Sequence, residues 1–523
     1  MPATQASGAV VGNAAGYCRA AYTGSDHFFG DNAMTTISRR DFVRGVAAIP
    51  LSLWLMNRVG AGAPRVRYDA RSAKGEEMLK IYAAAVKAMQ GLEGTDPSNW
   101  TFQWYTHFVK SSTSKSAEIQ RIFGSAPSPH KELAQAMWNT CQAHSGQNEN
   151  LFLPWHRMYV LFFEDIIRAV SKRDDFTLPY WNYSASGPTH GVLPDQFRKK
   201  DDPTFGPLYI AERNSLANDG KPIDQGQSGD PLGLSALKQT QYSQSGAVQG
   251  FCLALDSGLH GNVHVLTGNT QNMGAVPWAA RDPIFWLHHC NIDRLWASWN
   301  ANGGTNPSAP WNDDTFVFAD IKGNRVVAKV SDYFDIAKLG YSYDRLEPKP
   351  GKMLAAAAGD IGKRKPQQAA RVGTGVSLEG KPVRVQLESA AEAAEPLTRR
   401  LQAAPKEQRV FLVLRGLEAQ AQPEVLYHVY LELPEKVAPE KGGEYHVGTF
   451  TFFDALKLDH GDGGHAGHGS GEDKFYSFDV TDLVHRLGAG KKLSEKPVVT
   501  IAPAGEPAAA AKPVVGDIEL QVQ

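Results

Sequence analysis

The chain is 523 residues long, enough for two or three domains with large cores. Its 54 basic residues against 55 acidic ones leave a formal net charge of -1, which gives no electrostatic reason to expect nucleic acid or an anionic membrane surface as a partner. Four cysteines, Cys18, Cys141, Cys252 and Cys290, show neither CxxC pairing nor the density of a disulfide framework.

Residues 1–33 are small and polar without hydrophobic periodicity, so disorder is expected there, with Met34 as an internal start. The run TTISRRDFVRGVAAIPLSLWLMN carries Arg39 and Arg40 before an apolar stretch too short to span a bilayer, followed by Ala61, Gly62 and Ala63. It resembles a twin-arginine export signal. Residues 1–63 are therefore expected to be a disordered start plus signal peptide, with the export machinery as a partner. The mature protein would be periplasmic or extracellular and free of the membrane.

From 75 to 92, GEEMLKIYAAAVKAMQGL spaces its apolar residues three and four apart, which predicts an amphipathic helix ended by Gly91. NWTFQWYTHF sets His107 behind an aromatic cluster, and ELAQAMWNTCQAH ends on His144. NLFLPWHRMYVLFFEDIIRAV reads as a strongly apolar helix with Pro154 near its opening, His156 near its start and Glu164 two turns on. Residues 185–250 are rich in Gly, Pro, Asn, Asp and Gln and read as long loops. His130 and His190, in such loops, are left out of the site.

HGNVH places His260 and His264 at i, i+4 spacing, which lets two imidazoles meet one metal ion. A zinc protease would need Glu where Gly261 stands. In RDPIFWLHHCNIDRLWASW, Asp293 follows His289 by four residues and is placed to fix the tautomer of that ring. His288 is turned about a quarter-turn away.

Histidines 107, 144 and 156 in one half and 260, 264 and 289 in the other predict a mainly α domain, a four-helix bundle with long loops that holds a metal pair between its halves. Imidazole-only ligation suits copper better than magnesium or calcium, which take oxygen, and iron pairs in bundles use carboxylates.

These residues resemble the coupled binuclear copper family of tyrosinases and polyphenol oxidases over about 64–345. The second-copper signature D-P-x-F-W-x-x-H-x-x-x-D is matched by Asp282, Pro283, Phe285, Trp286, His289 and Asp293, which implies His289 rather than His288 as ligand. The first-copper signature is matched by Phe152, Trp155, His156, Arg157, Val160 and Glu164. The resemblance implies two copper ions held by His107, His144, His156, His260, His264 and His289, with dioxygen as co-substrate. It further implies oxidation of small phenols, ortho-diphenols to ortho-quinones and monophenols such as tyrosine by ortho-hydroxylation, the chemistry behind melanin-type quinone products. A haemocyanin-type dioxygen carrier and an ortho-aminophenol oxidase are the alternatives.

The same resemblance gives three residues catalytic positions. Asp256 stands where an acidic residue holds a water, Gly261 where efficient hydroxylases carry Asn, and Val276 where plant enzymes place Phe over the copper. Many fungal relatives link a cysteine to the second copper-A histidine through a thioether; here Cys141 stands three residues before His144 instead of two.

GYSYDRLEP, with Tyr341 and Tyr343, resembles the tyrosine motif that closes the family's catalytic domain. Residues 346–381 are expected to be a linker. From 382 to 523, VRVQLES, RVFLVLRG, LYHVYLELP, EYHVGTFTFF, KFYSFDVT, VVTIAP and DIELQVQ predict the strands of an antiparallel β-sandwich. KFYSFDV resembles the tail of plant polyphenol oxidases, implying a zymogen masked by this domain. His460, His465 and His468 fall in a Gly-rich loop, read as solvated.

Overall fold

The computed structural model describes residues 64–142, 149–351, 363–389, 395–402, 408–453, 455–456 and 475–523. The export-signal reading, His144, and the three histidines of the Gly-rich loop lie outside them. Every described residue falls in one compact unit. Among the described residues, no helix is long and apolar enough to cross a membrane.

A short strand β1, Arg65–Arg67, leads into helix α1, Ala73–Gln90. Ser72 caps α1 by accepting the Gly75 amide at 2.9 Å, and Gly91 ends it, as its sequence position predicts. Helices α2 (Trp100–His107), α3 (Lys115–Phe123) and α4 (Pro129–Met137) follow, and α2 ends on its histidine. Helix α5, Phe152–Ser171, is buried along almost its whole length and packs between α1 and the last long helix.

The second half of the helical domain is less regular. Helix α6 (Phe251–Ala254) runs into a π-helical turn, Leu255–His260, and then into α7, Gly261–Thr267. Gly258, with ψ of -105°, breaks the helical path inside that turn. Such π turns recur at functional positions because they re-aim side chains. The one-turn helix α8, Val276–Ala279, precedes α9, Ile284–Ala301. Every residue of α9 from Ile284 to Trp299 is buried, polar ones included, which makes α9 the centre of the domain. The expected bundle is thus present as four unequal helical runs, with α2 and the 251–267 run shorter than α5 and α9.

Strands β2 (Thr315–Ala319) and β3 (Arg325–Lys329) form a hairpin whose Phe318, Ala319, Val326 and Ala328 join this core. Strand β4, Tyr341–Tyr343, pairs in parallel with β1, so both ends of the helical domain close on each other.

The C-terminal part is a two-sheet antiparallel structure that contains all the predicted strands. One sheet runs β11 (His446–Phe450), β10 (Tyr427–Leu431), β13 (Val498–Pro503), β7 (Val383–Gln386). The other runs β12 (Phe475–Asp479), β9 (Val410–Glu418), β14 (Val514–Val522), β5 (Gln367–Val372), β8 (Glu388–Ser389), with β6 (Val376–Ser377) also on β14. Strands β5 and β6 lie inside the stretch expected to be a linker. Their sequences, QQAARV and VS, show no apolar alternation, and their register on β14 makes them strands. Two helices, α10 (Leu397–Gln402) and α11 (Thr481–Ala489), pack together beside the sheets.

Strand β9 is apolar on both faces for a reason that alternation alone does not reveal. Val410, Leu412 and Leu414 enter the sandwich core, while Phe411 and Val413 pack with Phe475 against Ala247 and Leu253 of the helical domain. Hydrogen bonds add to this seam: the Ala247 amide donates to Gln523 Oε1 at 2.6 Å, and Ser477 Oγ donates to the Ala247 carbonyl at 2.5 Å.

Candidate metal centre

Two groups of buried donor residues face each other in the helical domain. One comprises His260, His264, His288 and His289; the other comprises His107, Cys141 and His156. Within each group the potential donor atoms lie within 4.8 Å of one another. The groups meet where the ring of His156 on α5 stacks on that of His289 on α9, with centroids 4.2 Å apart and planes 10° off parallel.

Four of these rings are anchored through Nδ1. His156 faces the carbonyl of Phe152 at 2.8 Å, one turn back on α5. His264 faces the carbonyl of Met273 at 2.7 Å, and His107 that of Val276 at 3.1 Å. His260 Nδ1 lies 2.7 Å from Asp256 Oδ1. A proton on Nδ1 satisfies each carbonyl and leaves Nε2 with its lone pair, the usual way in which an outer partner orients a metal-binding imidazole.

His264 Nε2 and both ring nitrogens of His288 and His289 are buried without a hydrogen-bond partner among the described residues. Unpaired buried nitrogen is costly, and a metal ion is what relieves it at such a cluster. Burial first, and the neighbouring imidazoles second, hold His156, His264, His288 and His289 well below the ordinary histidine value. The rings are therefore neutral near pH 7, the form that binds metal. Two groups of neutral imidazoles in apolar walls fit a pair of first-row transition ions and not magnesium or calcium. Phe152, 4.7 Å from both His156 and His260, and Phe285, 4.2 Å from His289, supply part of those walls.

Two sequence expectations change here. Asp293 does not reach the His289 ring. Its carboxylate accepts from Tyr341 OH at 2.7 Å, Tyr343 OH at 2.5 Å, Arg67 Nη1 at 3.1 Å, and Arg157 Nε. Two guanidinium charges and two phenols outcompete one neutral imidazole for it. Burial alone would raise the Asp293 pKa, but Arg157 and Arg67 hold it below the usual carboxylate range. Glu164 completes the network, bound by Arg67 Nε and Arg168 Nη1, both at 2.8 Å. Burial opposes its ionisation, yet those two arginines hold its pKa at about 2.

The second change concerns His288, which joins the cluster instead of turning away. Helix α9 is inserted so deeply that adjacent positions both face histidine neighbours. His288 lies 5.3 Å from His260 and nearly parallel to it, while His289 turns to His156. The adjacent histidine pair was the available signal, but only packing on both sides of α9 gives it meaning.

The C-terminal domain reaches the same place. The ring of Phe453 stacks on His264 at 4.2 Å and 19° and meets His260 edge-on at 5.8 Å. A side chain at Gly261 would come within 3.1 Å of Thr451 Oγ1, so the glycine admits this close approach. Val276 contributes its carbonyl to His107 and is itself buried.

Comparisons with known proteins match this geometry. Residues 97–225 and 211–302 match the common central domain of tyrosinase, 308–350 the polyphenol oxidase middle domain, and 369–523 a domain family of unknown function. Tyrosinase HcTyr1 of Hahella sp. (strain CCB-MM4) is 32% identical over 298 residues, which cover 51% of this chain and 61% of that protein. Chloroplastic polyphenol oxidase A1 of Vicia faba is 30% identical over 308 residues, covering 53% of this chain and 47% of that protein. The chain thus spans about half to three-fifths of the length of these relatives. Latent apple tyrosinase superposes with a TM-score of 0.54 at 21% identity, covering 88% of this chain and 97% of that structure. A latent aurone synthase gives 0.56 at 18%, covering 88% and 89%. At these identities the structural likeness is one of fold, and it spans both the helical and the sheet regions.

Proposed function

This chain belongs, through residues 97–302, to the tyrosinase family, and on that premise we propose that it oxidises phenols with dioxygen at a pair of copper ions. The observation that carries this reading is the meeting of two buried histidine groups across the His156–His289 stack. His107, His144 and His156 are proposed for the first ion, and His260, His264 and His289 for the second. Copper at those positions would supply the electrons that reduce dioxygen. The chain's own part is to keep His156, His264 and His289 neutral, to orient the rings of His107, His156, His260 and His264 through Nδ1, and to exclude water with Phe152 and Phe285.

Catechol-type diphenols are the proposed main substrates, with monophenols such as tyrosine secondary. Gly261 offers no side-chain amide to steady a water near the second ion. Asp256 already contacts His260 Nδ1, which favours a role in orienting that ring over holding a water. Val276 leaves the approach past His107 wider than a phenylalanine would, favouring bulkier phenols.

The sheet domain is proposed as an intramolecular mask, with Phe453 seated where a phenol ring would meet His264 and His260. Export by the twin-arginine route to the periplasm or beyond is part of the same proposal, resting on Arg39 and Arg40.

Oxygen uptake by copper-loaded protein with catechol, tyrosine and an ortho-aminophenol tests the reading. Uptake with catechol above tyrosine is expected. Reversible oxygen binding without turnover would make the protein a carrier, and preference for the aminophenol would reassign the substrate.

A further inference from the structure

We infer that the seam between the two domains holds a site for a neutral sugar ring, an inference that goes beyond the dicopper reading and does not depend on it. A cavity of about 410 Å³ opens there, within the size range of small-molecule sites. One wall is the turn and helix that carry His260 and His264, through Gly258 and Asn262. The other is strands β11 and β12, through His446 and Phe478. Elsewhere Phe411, Val413 and Phe475 close the seam, so the gap is local.

Two features set this gap apart from loose packing. A Cβ built at Gly258 would meet no atom of the described residues within 4 Å, so the bare turn leaves room on the side where a side chain would stand. Asn262 is only 4% exposed, and its Nδ2 donates to the Pro231 carbonyl at 2.9 Å. That bond fixes which end of the amide is nitrogen and leaves Oδ1 buried without a partner among the described residues. His446 Nε2 is buried without one as well. Burial keeps the His446 ring below the ordinary histidine value and so neutral near pH 7. A ligand hydroxyl both donates and accepts, so it satisfies the Asn262 oxygen and either tautomer of His446, and recovers the cost of leaving them unpaired.

The remaining lining indicates the class of ligand. Gln239, Gln249 and Asp230 add planar amide and carboxylate groups, and Ser235 adds a hydroxyl, all suited to a run of adjacent hydroxyls. Lys238 is the one cation among the described lining residues and Asp230 opposes it, which disfavours phosphate. Tyr476 commits its hydroxyl to the Thr451 carbonyl at 2.9 Å, and Phe478 packs on Gly448, so neither ring is placed to sandwich a bare phenol. A sugar ring held by Asn262 on one wall and His446 on the other binds only while the domains are docked, and therefore stabilises the docked arrangement. Phe453 lies three residues past the end of β11, so the same occupant steadies that ring over His264.

Thermal melts, titration calorimetry and crystals of the full-length copper-loaded protein, kept free of oxygen, test this with methyl β-D-glucopyranoside. Saturable binding of one equivalent, the sugar against Asn262 and His446, and a raised melting temperature are expected. Asn262→Leu should weaken binding about tenfold, the loss of one buried hydrogen bond. Asp230→Ala, at the exposed mouth, should weaken it severalfold while the unliganded protein melts as wild type does. Phenyl β-D-glucopyranoside separates the sources: equal affinity marks a free sugar, and tighter binding marks the sugar of a phenol glycoside. Phenol seated in the cavity as tightly as either glucoside overturns the inference, as does a glucoside found only elsewhere. A rise in melting temperature shared equally by wild type and Asp230→Ala, the mark of an excluded osmolyte, overturns it too. None of these readouts uses catechol turnover, so their failure and that of the phenol oxidase reading are distinct.

Discussion

The imidazoles of His156 and His289 lie face to face at 4.2 Å, although they come from helices far apart in the chain. This contact makes two metal positions into one site, because each ring belongs to a different cluster. His289→Ala should lower bound copper from two ions per chain toward one and cut catechol oxidation at least a hundredfold. Metal analysis and oxygen uptake check this, and two tightly bound ions in the variant would refute the assignment.

Phe453 is the side chain through which the sheet domain covers His264. Phe453→Ala in the full-length protein should raise kcat/KM for catechol about tenfold or more, while removal of a buried ring costs about 3–5 kcal/mol of stability. Initial rates, read beside thermal melts, separate unmasking from unfolding. Unchanged rates in a folded variant would mean that the ring is packing and not a mask.

The Glu164–Arg67–Asp293 network holds α5, β1 and α9 in register. Glu164→Gln removes a charge from between Arg67 and Arg168 and should destabilise the fold by about 3–5 kcal/mol, the usual cost of breaking a buried pair from one side. Urea unfolding measures it. A loss below about 1 kcal/mol, the range of an exposed pair, would show that the network is dispensable.

His428 on β10 accepts from the Ser228 amide at 3.4 Å, across the seam between the domains. Burial first, then nearby His446, lower its pKa to about 4. The unfolded imidazole titrates near 6.5, so between about 6.5 and 4 the unfolded chain binds the proton and the folded one does not. This contribution is therefore complete above about pH 6.5 and is lost as the pH falls toward 4, by at most a few kcal/mol. His428→Asn should flatten the fall in melting temperature between pH 7 and pH 4.5; an unaltered slope would place the acid sensitivity elsewhere.

How much of this was legible in the sequence depended on how local the determinants were. HGNVH and the run around His289 announced the second cluster because helical spacing alone brings donors together. Gly91 likewise marked the end of α1, whereas its start at Ala73, capped by Ser72, lay two residues before the run read from 75. His288 and Phe453 were not legible as site residues, because their roles arise from what docks against them. Asp293 misled for the same reason: four-residue spacing put it near His289, but Arg67 and Tyr343, far off in sequence, claim its carboxylate. Strands β5 and β6 resembled a linker because they are short and show no apolar alternation, their pairing on β14 coming from far along the chain.

The parallel pairing of Arg65–Arg67 with Tyr341–Tyr343 sets a boundary for maturation. On the proposal that the sheet domain masks the site, a protease that freed it by trimming the tail would have to cut beyond Tyr343. Cleavage even a few residues earlier would carry off two phenols that hold Asp293, and the helical domain would lose part of its scaffold together with its proposed mask.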